Sequence, residues 1–296
     1  MHSTLISAEQ LLALTQGDPA RLMIFDCSFD LADSAAGRHA YEAGHVPGAV
    51  YADLDDDLSD QGRPDVDGHP RPASDAVSGG RHPLPSPERF ATWLSSIGFA
   101  NDMQAVVYDR NGGVYCGRLW WMLKWLGHEA VAMLNGGLAA WQAADGTLSE
   151  GEEIARFQSN FEARAVDAAL VSADAVLKNL GQPTQTVLDA RAGPRFRGEV
   201  EPIDPAAGHI PGALNRPFSD NFGPDGKFKS PEQLRKEFEA LLAGRDPATV
   251  VHQCGSGVSA NPNLIAMELA GLGRTPLFAG SWSEWSSDSS RPVEKG

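Results

Sequence analysis

The residues best suited to chemistry in this 296-residue chain lie in one short loop. Cys254 directly follows the β-branched and apolar run Val250-Val251-His252-Gln253 and precedes Gly255-Ser256-Gly257-Val258-Ser259. Glycines let the backbone curl so that successive N–H groups face inward, and a following helix adds its positive end. Both effects favour a thiolate over a thiol and lower a cysteine pKa from its reference value of about 8.5. Such a thiolate is a nucleophile, and the same cradle would hold the anionic group of a substrate or of a covalent intermediate. The hydroxyls of Ser256 and Ser259 add donors. The competing reading is a small buried hydrophobe at a strand end, the commoner fate of a free cysteine. Positive charge for an anionic substrate is on hand in Asp189–Gly198, DARAGPRFRG, with Arg191, Arg195 and Arg197.

The elements that must position this loop occur twice. GHVPGAVY at Gly44–Tyr51 returns as GHIPGALN at Gly208–Asn215, an offset of 164. Ser86-Pro87-Glu88, Val106-Val107, Gly127 and Trp141 recur at an offset of 144 as Ser230-Pro231-Glu232, Val250-Val251, Gly271 and Trp285. The halves therefore read as one domain duplicated. The two offsets differ by 20, which places about that many extra residues between His45 and Ser86, in an Asp-, Gly- and Pro-rich stretch that reads as a long surface loop.

Short apolar runs at Leu22–Asp26, Ala105–Tyr108, Thr186–Asp189 and Thr249–His252 predict buried strands. Serine before proline predicts helices starting at Pro87 and Pro231. Two more are expected at Arg118–Leu126 and Asn263–Ala270. Alternation of this kind implies an α/β fold, each domain a mostly parallel sheet with helices on both faces and an active crevice beyond the carboxyl ends of the strands. The expected division is a domain over 1–145, a connector over 146–168 and a second domain over 169–296. In the gapless register, Arg110-Asn111-Gly112-Gly113-Val114-Tyr115 lies opposite Cys254–Ser259, so the first half has arginine where the second has cysteine.

With 24 Lys and Arg against 39 Asp and Glu, the net charge of −15 repels polyanions and argues against nucleic acids and anionic membranes as partners. Hydrophobic residues at 42% and charged residues at 21% match ordinary globular usage. Cys27, Cys116 and Cys254 are few, odd in number and outside CxxC or Cys/His spacing, so neither a disulfide framework nor a metal site is expected and a reducing cytoplasm fits. The first 22 residues do not read as a targeting segment, and the most apolar stretch, Leu119–Leu126, is interrupted by Lys124 and far short of a membrane span.

The doubled HxPGA turn, the CGSGVS loop after VVHQ and the closing AGSWSEW together resemble the tandem-domain rhodanese and 3-mercaptopyruvate sulfurtransferase family over nearly the whole chain. That resemblance implies two tandem rhodanese-like domains, the first inactive and the second catalytic. It makes Cys254 the nucleophile, which takes a sulfane sulfur as a persulfide and passes it to cyanide, a thiol or a thioredoxin-like protein, with Gly255, Ser256, Gly257, Val258 and Ser259 cradling the persulfide. It also maps a donor-binding arginine onto Arg195, ahead of Phe196. Asp189 is expected to orient Arg195 or to cap its own loop, and Arg191 and Arg197 to form surface or interdomain ion pairs. In the mercaptopyruvate branch the resemblance suggests a supporting relay of His45, Asp33 and Ser256, whereas His209 would fasten its turn and His252 would pack. No cofactor or metal is implied, and a monomer is expected.

The donor is ambiguous at this level. Gly255 and Ser256 occupy places where thiosulfate enzymes of this family carry basic residues, which favours 3-mercaptopyruvate. Ile203, however, stands after Glu201-Pro202 where the mercaptopyruvate branch carries a second arginine, and an isoleucine cannot form the charge-assisted bond a carboxylate needs. Ser259–Asn263, SANPN, also lacks the Cys-His pair often found there. A phosphatase of the same fold needs arginine six positions after its cysteine, where Ala260 stands. A catalytically silent binding module, or a relay that hands persulfide sulfur to a protein acceptor, is the alternative function.

Overall fold

The computed structural model describes residues 1–62, 75–164 and 170–296. Outside them fall the middle of the expected inserted loop (63–74), the end of the expected connector (165–168) and Ala169. The chain divides into two compact units, Met1–Asp75 with Pro85–Asp167 and Asp225–Lys227, and Ala76–Leu84 with Ala168–Pro224 and Phe228–Gly296.

In the first unit the strands β1 (Leu5–Ile6), β2 (Leu22–Asp26), β3 (Ala49–Tyr51), β4 (Gln104–Tyr108) and β5 (Val131–Leu134) pair in the order β1-β5-β4-β2-β3, all parallel. In the second, β6 (Thr186–Asp189), β7 (Leu214–Asn215) and β8 (Val250–Gln253) pair as β7-β6-β8, again parallel. Leu277 bridges in parallel to both His252 and Leu170, so the second unit repeats the order of the first with its two outer strands reduced to single bridges. The central strands are buried along nearly their whole length, as strands covered on both faces must be. That is why they appear as unbroken apolar runs in the sequence.

Ser86 and Ser230 cap the helices Pro87–Ser96 and Pro231–Leu242, their hydroxyls accepting from the amides of Arg89 and Gln233. The burial of Phe90 and Leu94, and of Leu234, Phe238 and Leu242, seats those helices on their sheets. The helix expected from Arg118 starts one turn sooner, as Val114–Trp125. The cause is Asp109, whose carboxylate accepts from the amides of Asn111, Gly113, Tyr115 and Cys116 and so supports the orphan donors of the first turn. Its counterpart is Asn261–Leu269, two residues earlier than expected. The Asn261 side-chain amide donates to the Gly257 and Val258 carbonyls.

The inserted segment departs from its reading as surface loop. Residues Ala76–Leu84 belong to the second unit, where His82 and Leu84 are buried. Gly79 and Gly80 make that docking possible. A methyl group on Gly80, which has a φ of +87°, would lie 2.5 Å from the Gly280 carbonyl oxygen. The Gly79 amide donates to the Glu284 carboxylate and the Arg81 amide to Ser283 Oγ.

Candidate active site

Cys254 is the first residue beyond β8, at the carboxyl end of the parallel sheet, with 1% of its surface exposed. Its amide donates to Ser281 Oγ at 3.1 Å, its carbonyl accepts from the Trp282 amide at 3.0 Å, and the Gly255 carbonyl accepts from the Ser283 amide at 2.8 Å. The AGSWSEW segment therefore fixes the backbone on both sides of the thiol. Ser281 adopts a φ of +54°, and its counterpart in the first half, Gly137, a φ of +59°. Serine at such a position costs roughly 1–2 kcal/mol, which is offset by the bond it makes to the Cys254 amide.

Among the described residues, the backbone amides of Gly255, Ser256, Val258 and Ser259 have no hydrogen-bond acceptor. Unsatisfied donors in a tight loop form a concavity for an anion. Gly257 makes the curl possible: its φ is +75°, and a methyl group on it would stand 2.1 Å from the Ala279 carbonyl oxygen. Gly257→Ala is expected to lower stability by about 2 kcal/mol or more, from the collision and the left-handed backbone together. It should also slow alkylation of Cys254 by iodoacetamide. Wild-type stability and reactivity would show that the loop does not depend on this curl.

Three guanidinium groups surround the loop. Arg191 is buried, bonded through Nε and Nη2 to the Asp189 carboxylate and through Nη2 to the Gly208 carbonyl, with its plane 4.5 Å above the Trp282 ring. Arg195 Nη2 pairs with Glu201 Oε1 at 2.7 Å and Asp204 Oδ2 at 3.0 Å. Arg81 Nη1 reaches the other oxygen of Asp204 at 2.6 Å. A methyl group on Gly255 would stand 3.4 Å from Arg81 Nη2 and 3.6 Å from Arg195 Nη1, so both arginines converge on the residue next to the thiol. Burial works against the Glu201 carboxylate, but the hydrogen bonds from Arg195 and from the amides of Asp204 and Ile203 hold it below the usual carboxylate range. Beside the loop, His82 Nδ1 lies 2.7 Å from Ser256 Oγ, an imidazole–hydroxyl pair two residues from the sulfur.

The first half builds the same pocket without a thiol. The strand pairing corrects the gapless register: Asp26 lies opposite Tyr108 and Asp189 opposite Gln253, and the Asp109 carbonyl accepts from the Leu138 amide as the Cys254 carbonyl does from Trp282, so Asp109 stands where Cys254 stands and Arg110 matches Gly255. Arg110 bonds the Asp26 carboxylate, Ser28 Oγ and the Gly44 carbonyl, the counterparts of Asp189, Arg191 and Gly208. The guanidinium that fills this pocket comes from the loop in one half and from the strand end in the other.

A model of the rhodanese-like domain matches residues 7–144 and 172–288. A probable 3-mercaptopyruvate sulfurtransferase of Pseudomonas aeruginosa is 47% identical over 294 residues, 99% of this chain and 98% of that protein. The human 3-mercaptopyruvate sulfurtransferase is 34% identical, over 94% of this chain and 89% of its own. The crystal structure of SseA from Escherichia coli, described among the 3-mercaptopyruvate sulfotransferases, superposes with a TM-score of 0.77 at 32% identity, over 95% of this chain and all of that one. The chain belongs to the rhodanese family. It is a sulfurtransferase of two rhodanese-like domains, each an α/β unit with a mostly parallel sheet.

Within this rhodanese, Cys254, its loop and Arg195 are gathered at one place, and other expected residues take different partners. Asp189 is bound by Arg191 and not by Arg195, because the guanidinium two residues away fits its carboxylate while Glu201 and Asp204 hold Arg195. Arg191, expected in a surface or interdomain pair, is a core residue for the same reason; Arg197 does pair at the surface, with Glu199. The relay expected through His45 and Asp33 is not the one the hydrogen bonds form. His45 places Nδ1 on the Tyr41 carbonyl and Nε2 on Glu153, and stacks on Tyr41 at 3.9 Å. His209 does the same with the Phe196 carbonyl, Glu294 and the Phe196 ring at 3.8 Å. Both therefore fasten their HxPGA turns, and Asp33 accepts from the amide of Ala35 at the start of a helix. The histidine on Ser256 is His82, which sequence reasoning missed; its only signal was a Gly-Gly-Arg-His run inside an otherwise polar insert.

Cys27, Cys116 and His252 are buried. Burial, reinforced by nearby aspartates, pushes the Cys27 and Cys116 thiols well above their ordinary range. Burial also pushes His252 down to about 3, with Nε2 on Thr275 Oγ1. A histidine kept neutral in the fold and protonated when unfolded favours unfolding below its free pKa of about 6.5 and leaves stability unchanged above it. Lowering the pH from 7.5 to 5 should therefore destabilise the wild type by roughly 2 kcal/mol more than His252→Gln, measured by urea unfolding of both at each pH. Parallel losses would show that His252 is protonated within the fold.

Proposed function

We propose that the enzyme takes sulfur from 3-mercaptopyruvate onto Cys254 and passes it as a persulfide to a thiophilic acceptor. The observation that carries this reading is the thiol at the end of β8 next to four loop amides without acceptors, with Arg195 converging on the adjacent glycine. The Cys254 thiolate attacks the donor sulfur and an S–S bond forms. The donor's C–S bond breaks, its electron pair passes to the carbon of the pyruvate enolate, and the proton of the donor thiol ends on that carbon. The persulfide anion rests on the amides of Gly255, Ser256, Val258 and Ser259, and Ser256, held by His82, lies where a proton must move. Cyanide or a thiolate then attacks the outer sulfur and regenerates the Cys254 thiolate; with cyanide the product is thiocyanate.

The uncharged Gly255-Ser256 pair favours an organic monoanion over doubly charged thiosulfate. The acceptor is a small thiophile or a thioredoxin-like protein, and the enzyme acts as a monomer. The three free cysteines suit a reducing cytoplasm. No helix among the described residues is long and apolar enough to cross a membrane.

The test is steady-state kinetics with 3-mercaptopyruvate and thiosulfate in parallel, cyanide as acceptor and Cys254→Ser as control. A large preference for 3-mercaptopyruvate is the expected result. A preference for thiosulfate would reverse the donor assignment, and activity with neither would favour a silent module or a relay to a protein acceptor.

A further inference from the structure

We propose that the first unit carries a binding site for a small organic acid, a molecule with one anionic head and an apolar body, in a cleft beneath the connector. The site is independent of the sulfur-transfer reading. The connector packs as part of the first unit and is tied to it at two places. At one, Ser149 and His45 exchange backbone hydrogen bonds and the Gly151 amide donates to the Glu42 carbonyl; at the other, the Ser159 amide donates to the Ser95 carbonyl. Between these ties the backbone of residues 154–158 makes no hydrogen bond among the described residues. Beside this stretch lies a cleft of about 420 Å³, within the range that small-molecule sites occupy. Gly98 lets the connector lie close: a methyl group on it would stand 2.6 Å from the Phe157 carbonyl oxygen and 2.8 Å from Arg156 Cβ.

Tyr41, Val50, Tyr51 and Ile97 give the cleft its apolar lining. The Tyr41 hydroxyl is spent on the Ala49 carbonyl, and that of Tyr51 on the Ser28 carbonyl and the Asp53 carboxylate, so both residues offer a ligand their rings. Ile154 lines the same cleft and is 94% exposed, which is apolar surface that a bound molecule would cover. The positive groups on the cleft are Arg38 and Arg156, both half-buried. Arg38 holds its Cζ 4.9 Å from the centre of the Tyr51 ring, Arg156 donates to the Pro19 carbonyl, and neither pairs with a carboxylate among the described residues. Burial pulls Arg156 below its ordinary pKa, with no acid to offset it. Of the two carboxylates on the cleft, Glu153 is occupied by the Gly48 amide at 2.7 Å and His45 Nε2 at 3.2 Å, and Glu152 is exposed to water. The half-buried groups left for a ligand are therefore two guanidinium forks, in a chain where acids outnumber bases 39 to 24. Forks of this kind suit a carboxylate, and the rings beside them suit its apolar body.

The experiment is calorimetric titration of the full chain with indole-3-acetate, an aromatic carboxylate, and with indole-3-acetamide, its neutral analogue. Wild type is expected to bind indole-3-acetate at least about 10-fold more tightly than the amide, as for a hydrogen bond to a charged group. Arg38→Gln and Arg156→Gln should each weaken indole-3-acetate by about 10-fold and leave the amide within about twofold. The corresponding lysine variants should recover part of that loss, since they keep the charge without the planar fork. Ala155→Trp, which places a large ring on the lining of the cleft, should remove binding of both compounds. Melting temperatures of the arginine variants should match wild type, which separates loss of the site from loss of the fold. Equal affinity of wild type for the two compounds, no binding of indole-3-acetate at millimolar concentration, or binding unchanged in Arg38→Gln and Arg156→Gln would overturn the proposal. Sulfur transfer is measured separately, so its absence would leave this titration unaffected.

Discussion

Cys254→Ser is expected to reduce sulfur transfer from every donor by at least about four orders of magnitude, the scale on which removal of the attacking atom acts in covalent catalysis. The alcohol keeps nearly the volume of the thiol. The bonds that shape the loop run from the backbone of residues 254 and 255 to Ser281, Trp282 and Ser283, so they survive the exchange. Thermal stability should therefore change little while turnover disappears. Cys27→Ser and Cys116→Ser should leave the rate unchanged, because burial beside acidic groups keeps both as thiols. The check is initial thiocyanate formation with each variant, alongside a melting curve. Residual activity near the wild-type level in Cys254→Ser would place the sulfur elsewhere.

Arg195→Ala is expected to lower kcat/KM for anionic donors by roughly 100-fold, the value of about 3 kcal/mol for a charge-assisted contact at its upper range. Part of its cost is structural. The Glu201 and Asp204 side chains are almost fully buried, and without Arg195 their remaining charged partners are Arg191 at 3.5 Å from Glu201 and Arg81 at 2.6 Å from Asp204, beside the Ile203 and Asp204 amides that Glu201 keeps. A drop in stability of about 1–3 kcal/mol should accompany the kinetic effect, because a buried charge has lost a partner. Arg195→Lys separates the two effects: it keeps the charge but not the planar fork, so it should restore stability more fully than kcat/KM. Steady-state kinetics at constant ionic strength on both variants checks this, and an unchanged kcat/KM for both donors would remove Arg195 from the site.

Cys254 stood out in the sequence through its local pattern, whereas Arg195 was singled out from three neighbouring arginines only by the family resemblance. A cysteine between a buried strand and a glycine loop marks the carboxyl end of a parallel sheet. The duplication pointed to the second half as the one with a cysteine at this strand end, although the gapless register chose the wrong counterpart: the strand pairing sets Asp109, not Arg110, opposite Cys254. The strand cores and the serine caps at Ser86 and Ser230 were legible for the same reason, since they depend on a few neighbouring residues. What could not be read depends on contacts between distant segments. The choice of Asp189 between Arg191 and Arg195 is decided by three-dimensional fit, which spacing does not encode. His82 reaches Ser256 across 174 positions of sequence. Arg81 lies in an insert whose composition marks a loop and whose seat on residues 280–284 depends on two glycines without side chains. His45 misled for the opposite reason: it recurs because its turn recurs, and a repeated histidine serves what the two halves share.

The most direct test of Cys254 as the sulfur carrier is mass spectrometry of the protein treated with 3-mercaptopyruvate in the absence of any acceptor, followed by peptide mapping. The expected result is a gain of one sulfur atom on the peptide that contains Cys254, removed by cyanide and absent from Cys254→Ser. A stable sulfur on Cys27 or Cys116, or turnover with no sulfur held on the protein at any stage, would contradict it.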